Sequence, residues 1–535
     1  MTYESYIRCR FPLHSHHKLP PPRPFGIASP GFHGDLPKKM PSSKRCPLAR
    51  VAREELAALA SQRAVLPSFL RISSLSYSGP RPSRLSVSKA DELSGSGSAV
   101  IQKHSTTLPV EYHGLTNHSR TEAPDLRVTS IDQEKEMIVN GRVYDVSSFI
   151  KRHPGGSVIK FQLGSDASDA YNNFHLRSKK ADKMLASLPN RPVDSKEYSM
   201  DALSRDYELL RKELEDEGYF KPNLRHAAYR IFEVVAMYAA GVYLIWNNYW
   251  WLGALVAGIA QGRCGWLQHE AGHYSLTGNI PIDRHLQMAI YGVGCGMSGC
   301  YWRNQHNKHH ATPQKLGADP DLFTLPLIAF HKIIGKKGNK AWLMMQAPLF
   351  FAGPICTMVA WGWQFVQHPN HALRVKNFTE LFWMGVRYAL WYAAFTPQLG
   401  LWGAFKLYTA YVTFGSTYIF TNFAVSHTHK DVIPKSKHIS WTLYSANHTT
   451  NCSGLFGDTW GASLVDWWMS YLNYQIEHHL FPSMPQYHHP QVSKRVRKLF
   501  EKHGVEYDSR PYAVCMRDTF ANMWAVGHFD YHLDG

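Results

Sequence analysis

The chain has 535 residues and a formal charge of +17, from 58 Lys and Arg against 41 Asp and Glu, long enough for two or three units of the usual ~100–200 residues. Its mean hydropathy of −0.31 resembles that of a soluble protein, but the average combines a Ser-, Pro-, Arg- and His-rich first hundred residues with apolar stretches at 227–268 and 342–425. The basic excess suits anionic lipid headgroups, and without a compact basic patch interleaved with aromatics no nucleic-acid partner is expected; eight cysteines without C-x-x-C spacing argue against a disulfide framework.

Residues 1–125 hold clusters such as "KLPPPRPFG" and no sustained apolar period, so they are expected to form a disordered or targeting extension. An over-long reading frame is the other explanation. Residues 126–192 read as a small α+β unit. "MIVNGRVYDVSSFIKRHPGG" gives a strand, a turn at Asn140-Gly141, a second strand and a short helix capped by Asp145 or Ser147. "SDASDAYNNFH" then supplies a second short helix. Residues 193–225 are charged and helix-favouring and read as a linker.

Residues 226–535 read as an all-α membrane domain with a cytosolic helical cap. Candidate spans lie at 227–245, 249–266, 343–363, 386–395 and 401–425, measured against the ~20 apolar residues a crossing needs. The Gly-rich run 289–300 is too short to cross and reads as a re-entrant or interfacial segment. The 386–425 region, interrupted at Thr396-Pro397, is expected to contribute one net crossing.

Histidines carry the chemistry. His153, in His-Pro-Gly-Gly, and His175 stand about one short helical pair apart, and a haem iron takes two imidazoles on opposite faces. Three further clusters border the apolar stretches: His269 and His273 in "QHEAGH", His306, His309 and His310 in "RNQHNKHH", and Gln475, His478 and His479 in "QIEHH". Helical i, i+3, i+4 spacing puts each set on one face. Seven imidazoles exceed one metal's shell, and nitrogen-rich ligation suits an oxygen-binding iron pair.

The His-Pro-Gly-Gly unit with its second His resembles cytochrome b5. H-x3-H, H-x2-HH and Q-x2-HH, in that order behind such a unit, resemble the front-end fatty acyl desaturases, whose third box begins with Gln. The resemblance extends from residue 126 to 532. It implies His153 and His175 as axial ligands of haem b. It also implies His269, His273, His306, His309, His310, His478 and His479 as ligands of two non-haem iron ions. A further ligand is expected after the last span, His427 in preference to His429, with Asn422 as a possible water partner. Gln475 is either a weak ligand or a group holding an imidazole, and Asp319 and Asp321 either accept from ligand N–H groups or cap a turn.

The activity implied is O₂-dependent insertion of a cis double bond into an unsaturated C18–C20 acyl chain on CoA or phospholipid. Electrons would come from NADH through cytochrome b5 reductase and the haem. The implied location is the endoplasmic reticulum membrane with haem and metals facing the cytosol, or else a plastid or other organelle. The rival readings are a Δ8 sphingolipid long-chain-base desaturase, a hydroxylase on the same scaffold, and a non-enzymatic membrane electron carrier.

Overall fold

The structure is a computed structural model and describes residues 125–194, 196 and 198–531; the disorder or targeting expected before residue 125 lies outside them. Strands β1 (Glu136–Val139) and β2 (Arg142–Asp145) pair antiparallel, and β3 (Asn190–Pro192) pairs with β2. The β1–β2 turn takes left-handed backbone at Asn140 and Gly141 (φ 49° and 74°), which Asn and Gly adopt most readily. Helices α1 (Ser168–His175) and α2 (Lys179–Ala186) complete a small α+β unit. Its core includes Val139, Tyr144, Phe149 and Leu188.

The charged stretch that follows is no slack tether. Helix α3 (Ala202–Asp216) is capped by Asp201, whose carboxylate accepts from Ser204 N at 2.9 Å. One face of α3 buries Tyr207, Leu210 and Leu214 in a core shared with Leu480, Phe481 and Val492.

Helices α4 (Leu224–Trp246) and α5 (Trp250–Gly272) form an antiparallel hairpin. Among the described residues, α4 is the helix long and apolar enough to cross a membrane by length and composition. Its 23 residues span about 34 Å. Helix α5 is central: from Gly253 onward nearly every residue is buried, polar Gln261, Arg263 and Gln268 included. Helix α6 (Ile280–Cys295) runs back along α5, bringing the Cys295 thiol to Gln261 O at 3.3 Å and the Gln287 amide to Gln268 at 2.7 Å. The chain doubles back at Gly296 into α7 (Gly299–Ala311), so 289–300 folds as a turn-back against α5.

Beyond α7, the apolar stretch at 343–363 breaks into short pieces ending in α8 (Pro354–Gly362), followed by α9 (His368–Arg374). Helix α10 (Phe378–Ala424) differs from the single crossing expected of 386–425. Gly400 takes φ 67°, ψ 169° and splits it, a backbone conformation essentially reserved for glycine. The halves fold against each other: Trp391 stacks on Tyr411 at 4.7 Å and donates to Ala404 O at 3.0 Å. The stretch is therefore a hairpin that turns at Gly400, and Pro397 stays within the first half. Its tip meets the tip of the α4–α5 hairpin, where Gln398 donates to Asn248 and Trp246 to Ala394 O, both at 3.2 Å. Four long helical limbs thus share one pair of adjacent turns, and the far ends of α5 and of the second half of α10 lead to His269, His273 and His427.

The cap adds α11 (Trp441–His448), α12 (Gln475–Leu480), α13 (His489–Lys502) and α14 (Tyr512–His528). Strands β4 (Asn451–Cys452) and β5 (Ser509–Arg510) pair in parallel beside α12.

Candidate metal centre and haem pocket

Helix α5 ends on the first cluster, α7 carries the second and α12 the third; His427 lies just past α10. These four chain segments converge on two adjoining groups of imidazoles. His269, His273, His306, His310 and His478 form one, and His309, His427 and His479 the other, with ligand nitrogens inside each group within 4.8 Å of one another. Across the seam His310 stacks on His479 with ring centres 4.2 Å apart. The eight expected histidines are together, and His429 is not among them. Its Nε2 pairs with Thr450 Oγ1 at 3.2 Å. Asn422 is likewise turned aside, donating to Tyr418 O and accepting from Tyr512 OH.

The donor set fits metal. His273 Nε2, His310 Nδ1, His479 Nδ1 and both nitrogens of His478 are buried with no hydrogen-bond partner, each a cost of about 1–3 kcal/mol, and an ion would satisfy one nitrogen of each ring. The Nε2 atoms of His306 and His310 face each other at 3.0 Å, aimed at a common point. Burial pushes His310, His478 and His479 well below the usual imidazole range, keeping them in the neutral form that ligation requires.

Other contacts fix which ring nitrogen is available. His427 Nδ1 lies 3.1 Å from His448 O and His309 Nδ1 lies 3.1 Å from both oxygens of Asp319. Each Nδ1–H then donates and leaves Nε2 for an ion. Burial opposes charge on His309, but Asp319 and Asp321 reverse the balance and push it up to about 9. Asp319 is fully buried whereas the Asp321 side chain is 65 % exposed, so Asp319 is the principal holder. Asp319 also accepts from Asp321 N at 2.9 Å, so it both faces His309 Nδ1 and caps the turn. Gln475 donates to Leu472 O at 2.8 Å and its amide also reaches the His427 ring, beside the group that has only three imidazoles.

The supports are themselves hydrogen-bonded and stacked. At the start of α7, Ser298 caps Tyr301 N at 3.0 Å, Glu380 accepts from Cys300 N at 2.8 Å and from Ser298 Oγ, and His368 accepts from Ser298 N at 2.8 Å. Trp302 stacks on His306 at 4.2 Å. Under α12, Asn451 accepts from Ile476 N and donates to Glu477, which also accepts from Tyr507 OH at 2.7 Å. Burial lifts Glu477 to about 7.

Sequence reasoning missed several of these groups. Gln486 sits 2.9 Å from His269 Nδ1. His489 is fully buried 5.9 Å from the His478 ring, neither of its nitrogens hydrogen-bonded. Gln486 carries no spacing that sets it apart, and His489 sits in a His488-His489 doublet with Pro485 where the boxes have His or Gln. Read as letters, His269-Glu270-Ala271-Gly272-His273 also spells the H-E-x-x-H of zinc proteases, whose Glu is the base. Here Glu270 instead accepts from Gln486 N at 3.3 Å and stands 3.7 Å from Arg230. Three further imidazoles crowd its histidine pair.

In the small unit, the His153 and His175 rings stand 6.2 Å apart, centre to centre. Two iron–nitrogen bonds of about 2 Å plus the inner halves of both rings fill about that span. His153 Nδ1 pairs with Gly156 O at 3.2 Å and His175 Nδ1 with Tyr171 O at 3.1 Å, again leaving Nε2 for the metal. A Cβ on Gly155 would meet the His153 ring at 2.7 Å, so the glycine is sterically required.

Comparison with known proteins agrees with this geometry. Residues 223–511 match the family model "Fatty acid desaturase" and residues 126–192 the model "Cytochrome b5-like Heme/Steroid binding domain". The chain is 53 % identical to an acyl-lipid (8-3)-desaturase of Rebecca salina, over 77 % of this chain and 97 % of the relative. It is 42 % identical to an acyl-lipid (8-3)-desaturase of Thraustochytrium sp, over 74 % and 93 %. Fatty acid desaturase 3 of Bos taurus is 28 % identical over 75 % and 92 %.

Proposed function

The chain belongs to the fatty acid desaturase family, with a cytochrome b5-like unit in front, and from that premise we propose a Δ5-selective front-end enzyme acting on C20 acyl chains of membrane lipids. It is a histidine-box oxidoreductase. The selectivity rests on the (8-3) in the names of the Rebecca salina and Thraustochytrium relatives, meaning a new bond three carbons nearer the carboxyl end than an existing Δ8 bond. The observation that carries the reading is the pair of adjoining imidazole groups within one folded unit with the His153–His175 pair.

His269, His273, His306, His310 and His478 would hold one iron ion, and His309, His427 and His479 the other, with Gln475 beside the second. Two such ions supply the O₂-dependent removal of hydrogen from adjacent methylenes, chemistry beyond ordinary side-chain acid–base groups. The protein's own part is orientation. Asp319 and the His448 carbonyl fix tautomers, Trp302 holds the His306 ring plane, and the Ser298–Glu380–His368 clamp sets where α7 begins. His153 and His175 would bind haem b with no open position, an arrangement suited to relaying electrons from NADH through cytochrome b5 reductase.

In this reading both hairpins, α4–α5 and the halves of α10, cross the membrane, making four spans. Exposed Phe232, Val235, Trp251, Phe382 and Leu390 then face lipid. The even count leaves haem and metals on one side, the cytosolic face of the endoplasmic reticulum.

The test is to express the full chain in yeast, feed a C20 acid unsaturated at Δ8, and locate new double bonds by mass spectrometry. A new cis bond at Δ5 is expected. A new bond in the sphingoid base alone selects the sphingolipid reading, and unchanged lipids with intact protein select the electron carrier.

A further inference from the structure

The contact between the haem unit and the third histidine box contains a continuous hydrogen-bonded bridge. Asn173, on α1 two residues before His175, donates through Nδ2 to Tyr207 OH at 2.7 Å, and Tyr207 donates to Leu480 O at 2.7 Å. Leu480 is the residue after His479. The three partners come from the haem unit, α3 and α12, and Asn173 and Tyr207 are 2 % and 0 % exposed. The bridge is braced on both sides. Ser483 Oγ donates to Asn173 O at 2.8 Å, Arg177 donates to Ser483 O at 3.0 Å and Phe220 O at 2.7 Å, and Tyr207 stacks on Phe481 at 5.5 Å. A buried tyrosine hydroxyl saturated by one donor and one acceptor on separate segments is a specific join, beyond what core packing asks of the position.

The other edge of the haem unit is joined less directly. Gly156 lies against Asn304 of α7, and Gln162 approaches Ala311 O at 3.5 Å, the outer limit of a hydrogen bond. This edge reaches α7 through one long hydrogen bond, whereas the Asn173–Tyr207–Leu480 bridge is made of two short ones.

We propose that the Asn173–Tyr207–Leu480 bridge is the electron path from the haem to the metal centre, with Tyr207 as its positioning residue. In each passage the ferrous haem loses one electron and becomes ferric, and the metal centre gains it; two passages serve one turnover. The inference rests on the desaturase reading and adds the route.

The experiment uses the full-length holoenzyme in detergent. Its haem is reduced, then mixed with oxygenated buffer containing phosphatidylcholine with a Δ8-unsaturated C20 chain, and haem re-oxidation is followed by absorbance. Tyr207→Phe keeps the ring and removes both hydrogen bonds, and Ser483→Ala loosens the brace alone. Tyr207→Phe is expected to re-oxidise several-fold more slowly and Ser483→Ala by less. The haem spectrum, its midpoint potential and amide exchange across residues 168–175 should not change. Wild-type re-oxidation in Tyr207→Phe overturns the route, as does slowing accompanied by faster exchange across α1, which would make Tyr207 only a docking clamp. Slowing in Asn304→Ala alone moves the route to α7 and overturns it as well. If the wild-type haem re-oxidises no faster with the lipid than without it, the desaturase reading fails, independently of the route.

Discussion

His427 and His429 are two residues apart, yet their surroundings give them different work. His427 Nδ1 is tied to His448 O, leaving its other nitrogen facing His309 and His479. His429 leans on Thr450, which in turn donates to Asp508 at 2.9 Å, within a network that includes Lys430 and Arg510. Sequence spacing allowed either residue, and the turn after α10 places His427, not His429, beside His309 and His479. His429→Asn should therefore retain full iron content. Asp319→Asn should weaken iron binding about 10–100-fold, the usual cost of losing a carboxylate behind a ligating imidazole, while the exposed Asp321→Asn changes it little; metal titration of stripped protein measures both. The three boxes were legible because i, i+3, i+4 spacing survives in the letters, and the His153–His175 pair because His-Pro-Gly-Gly marks its first member. Gln486 and Glu380 were not, since they meet their partners across 217 and 80 residues of chain.

At the scale of elements, the small α+β unit was readable because Asn140-Gly141 and the strand alternation are local signals. The long apolar helices were harder to read. Helix α5 hides its polar residues inside the bundle, so hydropathy undervalues it, and α10 reads as one interrupted stretch because Gly400, where it turns, is an ordinary residue in an apolar context. Pro397 drew attention as the stronger local signal, but a proline near the end of a helix need not reverse the chain. The clamp at the start of α7 makes a quantitative prediction. Glu380→Ala leaves Cys300 N and the buried Ser298 hydroxyl without their acceptor, a loss of about 1–3 kcal/mol. A lower melting temperature and partial loss of iron should follow, and Glu380→Gln, which keeps one of the two acceptor oxygens, should recover only part of each.

For the whole molecule, the hairpin tips at Asn248 and Gly400 lie together while the metal groups and haem pair gather at the other end. Single cysteines placed at Asn248 or Gln398 in sealed microsomes should react with impermeant thiol reagents only after the membrane is opened, whereas one at Lys498, on α13, should react at once. Equal labelling of all three sites would remove the two-hairpin arrangement. The central claim is that eight imidazoles hold two ions beside one haem, and counting iron tests it most directly. Non-haem iron per haem should be measured in the purified full-length protein and in His427→Ala. The structure predicts two per haem, falling to about one in the variant, whose three-imidazole group loses a ligand while the five-imidazole group is untouched. A single non-haem metal in the wild type, or an unchanged ratio in His427→Ala, would contradict it.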